Sequence, residues 1–222
     1  MSQIDTYDDI TIPTYIINLK ERVDRLTHIK KQFDGKREFD VTLVEACKHE
    51  IGAVGLWQSI VKIVKLAMAN DEDVIIICED DHEFTASYSK QFLLENIIDA
   101  HDQGINILSG GVSGFNLAVP ITENRYWINS FWGTQFLVIY KKFFQTILDE
   151  KFTNEDTADG KFSEMTSNKM TLYPFISIQK DFGYSDVTKS NQAFGNVAKL
   201  FEDTAKRFEI IMTVYHRYRS GF

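Results

Sequence analysis

Residues Val74-Ile75-Ile76-Ile77-Cys78 run apolar without alternation, and the acids Glu79-Asp80-Asp81 follow at once. The polar stretch Ala69-Asn70-Asp71-Glu72-Asp73 stands before it. A short β-branched run bounded in this way predicts a strand buried on both faces. Such a strand needs helices above and below it, which is the layering of an α/β protein. The neighbouring segments agree. Thr14–Leu19 reads as a strand and Lys20–Phe33 as a helix with Val23, Leu26, Ile29 and Phe33 on one face. Asp40–Val44 is a second strand, Gly52–Gly55 a turn, and Leu56–Met68 an apolar helix. A helix over Ser89–His101 and a strand over Ile105–Leu108 complete an alternating series and predict a mostly parallel sheet.

The second half is mixed. Tyr126–Asn129, Gln135–Tyr140 and Ile176–Gln179 read as strands, Lys142–Glu150 and Lys199–Tyr218 as helices, and Lys151–Lys161 as an acidic mobile loop. At 222 residues, with no repeat or linker-like break, one domain is expected. With 24 Lys+Arg against 32 Asp+Glu the net charge is −8, the wrong sign for a duplex-binding protein, so no nucleic-acid partner is expected. Cys47 and Cys78 form no zinc set and imply no disulfide, and the five histidines show no paired spacing. The start, Met1-Ser2-Gln3-Ile4-Asp5, lacks the basic and apolar regions of a signal peptide. A cytoplasmic protein with at most peripheral membrane association is therefore expected.

In an open α/β sheet ligands bind beyond the carboxyl ends of the strands, where Glu79, Asp80 and Asp81 stand. Alternation puts Glu79 and Asp81 on one face and Asp80 on the other. Two carboxylates about 4 Å apart repel by roughly 4 kcal/mol at an effective dielectric of about 20. A Mn2+ or Mg2+ ion would remove that cost, and the other reading is a solvated acidic turn. Arg22 and Arg25, three apart, suit a nucleotide's phosphate or base edge, or else an ordinary charged helix face. Gly52-Ala53-Val54-Gly55 is either a binding loop or a plain helix entry, and lacks the Gly-Lys-Ser/Thr ending of a phosphate loop. Asn129-Ser130-Phe131-Trp132-Gly133-Thr134-Gln135 fits a sugar-binding wall or a core corner. Asp156 and Asp159 are candidates for a base that deprotonates a hydroxyl, or parts of an acidic loop.

In order along the chain, these segments resemble glycosyltransferase family 25, the bacterial lipooligosaccharide-type sugar transferases. The resemblance rests on Ile16-Ile17-Asn18-Leu19 with Arg22, Asp24 and Arg25; on Glu50-Ile51-Gly52; on the strand into Glu79-Asp80-Asp81; and on Gly133-Thr134 before a strand. Ser185-Asp186-Val187 matches the family's closing motif. The family's Ser-His after the Gly turn is replaced by Leu56-Trp57, with Ser59 a loose substitute. The resemblance implies a GT-A-like, Rossmann-type sheet with a donor-binding half at about 12–112 and a smaller mixed acceptor-side region at about 113–222. It implies a nucleotide-sugar donor, most simply a UDP-sugar, held by Asn18, Arg22, Arg25, Gly52, Ser59, Glu79, Asp80, Gly133, Thr134 and Asp186. It implies Mn2+ or Mg2+ on Asp81, with Glu79 acting through the ribose or a metal-bound water. The acceptor implied is a cell-surface glycan or glycolipid, with Asp159, or Asp156 in its place, as base and inversion as the outcome. A Mg2+-dependent nucleotidyl or phosphoryl transferase, and a non-catalytic sugar-nucleotide-binding module, are the alternatives.

Overall fold

The computed structural model describes residue 7, residues 9–183 and residues 195–219. Its central sheet has eight strands. In spatial order they are β2 (Phe39–Glu45), β1 (Ile12–Asn18), β3 (Val74–Glu79), β10 (Phe136–Tyr140), β5 (Ile107–Ser109), β11 (Lys169–Leu172), β8 (Arg125–Ile128) and β7 (Ala118–Pro120). β1 is parallel to both β2 and β3, and β5 to β11. Only β10 and β8 run against the rest, so the sheet is mostly parallel, as the alternating series predicts. Two small antiparallel pairs stand outside it: β4 (His82–Phe84) with β12 (Ser177–Gln179), and β6 (Gly114–Phe115) with β9 (Phe131–Trp132).

The unalternating run of β3 has a direct structural counterpart. Ile75 and Ile77 enter one apolar layer and Ile76 and Cys78 the other. The first layer packs the sheet against α2 (Gly52–Ala69), α4 (Phe144–Asp149), α5 (Ala158–Met165) and α6 (Asn196–Arg219), through Ile60, Ile63, Ile147, Phe162 and Phe208. The second packs it against α1 (Val23–Phe33) and α3 (Lys90–Asp102), through Ile29, Phe33, Leu93 and Ile97. Ser89 caps α3 by accepting from the Phe92 N–H at 3.1 Å.

Three expectations need correction. Val23 is 64% exposed, and the inner face of α1 is made by Arg25, His28, Ile29 and Phe33. The first turn of α1 faces the carboxylates that follow β3, and Arg25 supplies the charge that the buried Asp80 needs as a partner. Gly52 to Gly55 form no separate turn, because α2 begins at Gly52. The acidic loop ends at Thr157, and Asp159 lies in the first turn of α5. The Thr157 hydroxyl caps that helix by accepting from the Gly160 N–H, and Phe162 anchors it in the core. Phe152 stacks on Trp57 with ring centroids 4.9 Å apart, and Lys161 pairs with both Glu150 and Asp156, so the segment before α5 is tied down as well.

Candidate active site

β1 and β3 end side by side, with Ile17 in register with Glu79. The chain then turns from β3 into β4, and its three acids separate. Asp80 is buried against α1. Its Oδ2 accepts from Asn18 Nδ2 at 2.8 Å and its Oδ1 from Arg25 Nη1 at 3.0 Å, with Arg22 Nη1 3.8 Å away. The same Arg25 Nη1 donates to Asp81 Oδ2 at 3.1 Å. Glu79 and Asp81 both line a cleft of about 640 Å³. Glu79 accepts from Thr134 Oγ1 at 2.6 Å, and its N–H donates to the Gln135 carbonyl at 3.1 Å. The Asp81 carbonyl accepts from the Lys180 N–H at 2.7 Å.

Burial raises the Glu79 and Asp81 carboxyls above the ordinary carboxylate range. The charge of Asp81 pushes Glu79 further up, whereas Arg25 pulls Asp81 back down. The site thus sets two carboxyls whose ionisation burial disfavours side by side along the cleft. Asp81 Oδ1 is buried and accepts no hydrogen bond. Among the described residues no three His, Cys, Asp or Glu side chains converge into an all-protein metal cage. One orphaned carboxylate oxygen beside a second carboxylate does fit a hard divalent cation that takes its other ligands from phosphate and water.

The opposite walls come from distant parts of the chain. Gly133 and Thr134 sit between β9 and β10, with Gly133 at φ +100°, a conformation that favours glycine. The Gly133 N–H donates to Asp159 Oδ2 at 3.1 Å. Asp159 Oδ1 accepts from the Thr157 hydroxyl at 2.6 Å and the Gly160 N–H at 2.8 Å. Trp132, Lys180, Asp181 and Phe182 add to the rim, and α6 supplies Leu200, Asp203 and Arg207. A smaller hollow of about 280 Å³ opens beside the β1 and β2 ends and shares Arg22, Leu56 and Glu79 with the cleft. Gly52 and Gly55 line it. A Cβ on Gly55 would meet the Cys47 carbonyl oxygen at 2.6 Å, so only glycine lets α2 approach this closely.

No family model matches the chain. No curated protein matches it either. Solved structures with some likeness include A197 from STIV, at 12% identity over 80% of this chain and 87% of that one, with a TM-score of 0.48. A glycosyltransferase involved in the glycosylation of the major capsid of PBCV-1 aligns at 12% identity over 62% of this chain and 63% of that one, with a TM-score of 0.40. An apo UDP-glucose pyrophosphorylase aligns at 11% identity over 94% and 82%, with a TM-score of 0.46. Each is a distant similarity, and none bears on the chemistry.

The structure brings Arg22, Arg25, Glu79, Asp81, Gly133, Thr134 and Asp159 to the walls of one cleft. Arg22 and Arg25 are therefore not an ordinary solvated helix face. Asp156 stands apart: its carboxylate accepts from the Thr153 N–H and hydroxyl and pairs with Lys161, and it lines neither cavity. Ser59 lies behind the wall of the smaller hollow. Its hydroxyl accepts from the Cys47 N–H at 2.8 Å and donates to the Gly55 carbonyl at 2.7 Å. Asn18 is buried and lines neither cavity, and Asp80, which accepts from it, borders the smaller hollow. Asp186 lies outside the described residues. Sequence reasoning missed Lys180, Asp203 and Arg207. Gln179–Asp181 carries clear turn chemistry but no readable role, and Asp203 and Arg207 look like any charged face of an amphipathic helix.

Proposed function

We propose that this chain is a metal-dependent glycosyltransferase. In this reading it moves a sugar from a nucleotide-sugar, most simply a UDP-sugar, to a hydroxyl of a glycan or glycolipid acceptor in cell-surface glycan synthesis, with inversion. One observation carries the reading. The acids after β3 divide, so that Asp80 braces α1 while Glu79 and Asp81, whose Oδ1 is buried and orphaned, line a cleft with an adjoining hollow. The hollow takes the nucleoside and the cleft the diphosphate and sugar. The whole chain acts as one cytoplasmic domain, donor side at about 12–112 and acceptor side at about 113–222.

Asp81, with Glu79 beside it, would hold Mn2+ or Mg2+, and the bound ion neutralises charge on the leaving diphosphate. Arg22, which lines both cavities, orients a phosphate oxygen where they join. Thr134 fixes the Glu79 carboxyl through its 2.6 Å hydrogen bond. Asp159 is the acceptor-side carboxylate. Its Oδ1 already accepts twice and its Oδ2 once, which leaves one lone-pair direction on Oδ2 for a hydroxyl proton. Gly133 and Thr157 hold it in place, so no side-chain search precedes the proton transfer.

The test is incubation with UDP-sugars and Mn2+. Slow release of UDP and free sugar is the expected result, because sugar transferases leak to water. Release of UMP and sugar 1-phosphate, from attack of water on the α-phosphorus, indicates a nucleotidyl or phosphoryl transferase. Binding of UDP-sugar without turnover indicates a non-catalytic module. Asp81→Ala is expected to abolish Mn2+-dependent UDP binding, and binding at the wild-type level would refute the metal assignment.

A further inference from the structure

The two rims of the central sheet are built differently. β7 is three residues long and ends on Pro120, which has no N–H to offer a neighbour. β2 is seven residues long, contains neither Pro nor Lys, and pairs with β1 without a bulge. Those are the devices that ordinarily keep a rim from pairing with another chain.

The hydrogen bonds of β2 show which of its main-chain groups are spoken for. The Glu38 carbonyl accepts from the Ile12 N–H, and the Ala46 N–H donates to the Asn18 carbonyl. Alternate residues of a parallel strand bond to a given neighbour. Even-numbered Asp40, Thr42 and Val44 therefore turn their N–H and C=O groups to β1, and Val41, Leu43 and Glu45 turn theirs outward. Val41 and Leu43 are also 38% and 45% exposed, on the same face of the sheet. Among the described residues, outward backbone without a partner and exposed apolar side chains thus coincide in the same two residues.

We propose that β2 pairs antiparallel with β2 of a second copy of this chain, about a two-fold axis through Thr42. That axis sets Val41 opposite the partner's Leu43 and Leu43 opposite the partner's Val41. Both are hydrogen-bonded pairs that use the outward N–H and C=O groups, and both are apolar cross-strand pairs. Asp40 faces the partner's Val44, and Glu45 faces the partner's Phe39, so no carboxylates oppose. Arg37, exposed just before the strand, takes the diagonal position to the partner's Glu45, giving opposite charges at each end of the ladder. Neighbouring axes are poorer. One through Val41 sets Leu43, instead of the terminal Glu45, opposite Phe39, whose N–H already donates to the Lys36 carbonyl. One through Leu43 sets Val41 opposite Glu45. The paired rims make one continuous sheet across both subunits, an isologous interface.

Sedimentation of the wild-type chain over a dilution series is expected to show a dimer that dissociates. Oxidised Thr42→Cys should form an interchain disulfide, because opposed residues of a non-hydrogen-bonded pair have Cα atoms about 4.5 Å apart. Wild type, with Cys47 and Cys78, and Val41→Cys should not link. Leu43→Glu should give a monomer with an unchanged circular dichroism spectrum. A monomer throughout the dilution series overturns the proposal, as does a dimer that survives Leu43→Glu. Linking by Val41→Cys as readily as by Thr42→Cys overturns the register.

Discussion

Arg25→Met tests the electrostatic frame of the site. Arg25 is 4% exposed, and one of its nitrogens reaches Asp80 at 3.0 Å and Asp81 at 3.1 Å. Met fills similar apolar volume but carries no charge. Asp80 would keep Asn18 at 2.8 Å and Arg22 at 3.8 Å, and Asp81 Oδ2 would lose the Arg25 hydrogen bond. Breaking a buried pair by removing one partner costs about 3–5 kcal/mol, most of it the charge left behind. With a urea slope of about 3 kcal/mol per molar, the unfolding midpoint should fall by roughly 1–1.7 M. Adding Asp80→Asn removes one stranded charge, so the double variant should be more stable than the sum of the single losses allows. The assay is urea unfolding followed by tryptophan fluorescence with a chelator present. A midpoint shift below about 0.3 M, or strict additivity, would refute the claim that Arg25 holds these carboxylates in place.

Glu79→Gln should raise stability in metal-free buffer, increasingly so with pH. Burial raises the Glu79 carboxyl from 4.5 to about 8, so wild type loses stability as pH rises between those values, by up to about 1.4 kcal/mol per pH unit, and the difference levels off above them. A pH-independent difference between variant and wild type in thermal melts would contradict this. Gly55→Ala must displace the Cys47 carbonyl and should cost about 1–3 kcal/mol in denaturant titrations while also weakening UDP binding; unchanged values for both would show that the close approach is idle. Thr157→Ala removes the cap of α5 and one donor to Asp159. It should cost about 0.5–2 kcal/mol and lower transfer more than donor binding, and an equal loss in both would argue against Asp159 on the acceptor side.

How much of this could be read from residues alone depended on whether the signal was local. β3 was legible because four β-branched side chains in a row fit few environments other than a strand covered twice. The end of the α1 helix was legible as well, and so were Ile29 and Phe33 on its inner face, but not Arg25 and His28 beside them. Arg25 and His28 look like solvated positions until the Asp80 carboxylate and the His82 carbonyl, more than fifty residues away, come to lie against them. α5 hid behind its acidic composition. Thr157 with Asp159 just inside was an available helix-start signal, outweighed by the polar run before it. The cleft face of α6 left no trace, since Leu200, Asp203 and Arg207 fall on the side that an isolated helix would turn to water.

α6 also has a consequence in time. It follows every other described element, yet Val197, Leu200, Asp203, Thr204 and Arg207 form one whole side of the cleft, and Phe208 locks that side onto Tyr126, Tyr173 and Phe175. A ribosome-bound chain that had released only the first 180 residues would carry the complete strand-end acids but face them to open water. Those acids would lack the wall that encloses them on that side. The enclosure over those acids is therefore completed only when α6 docks against the rest of the fold.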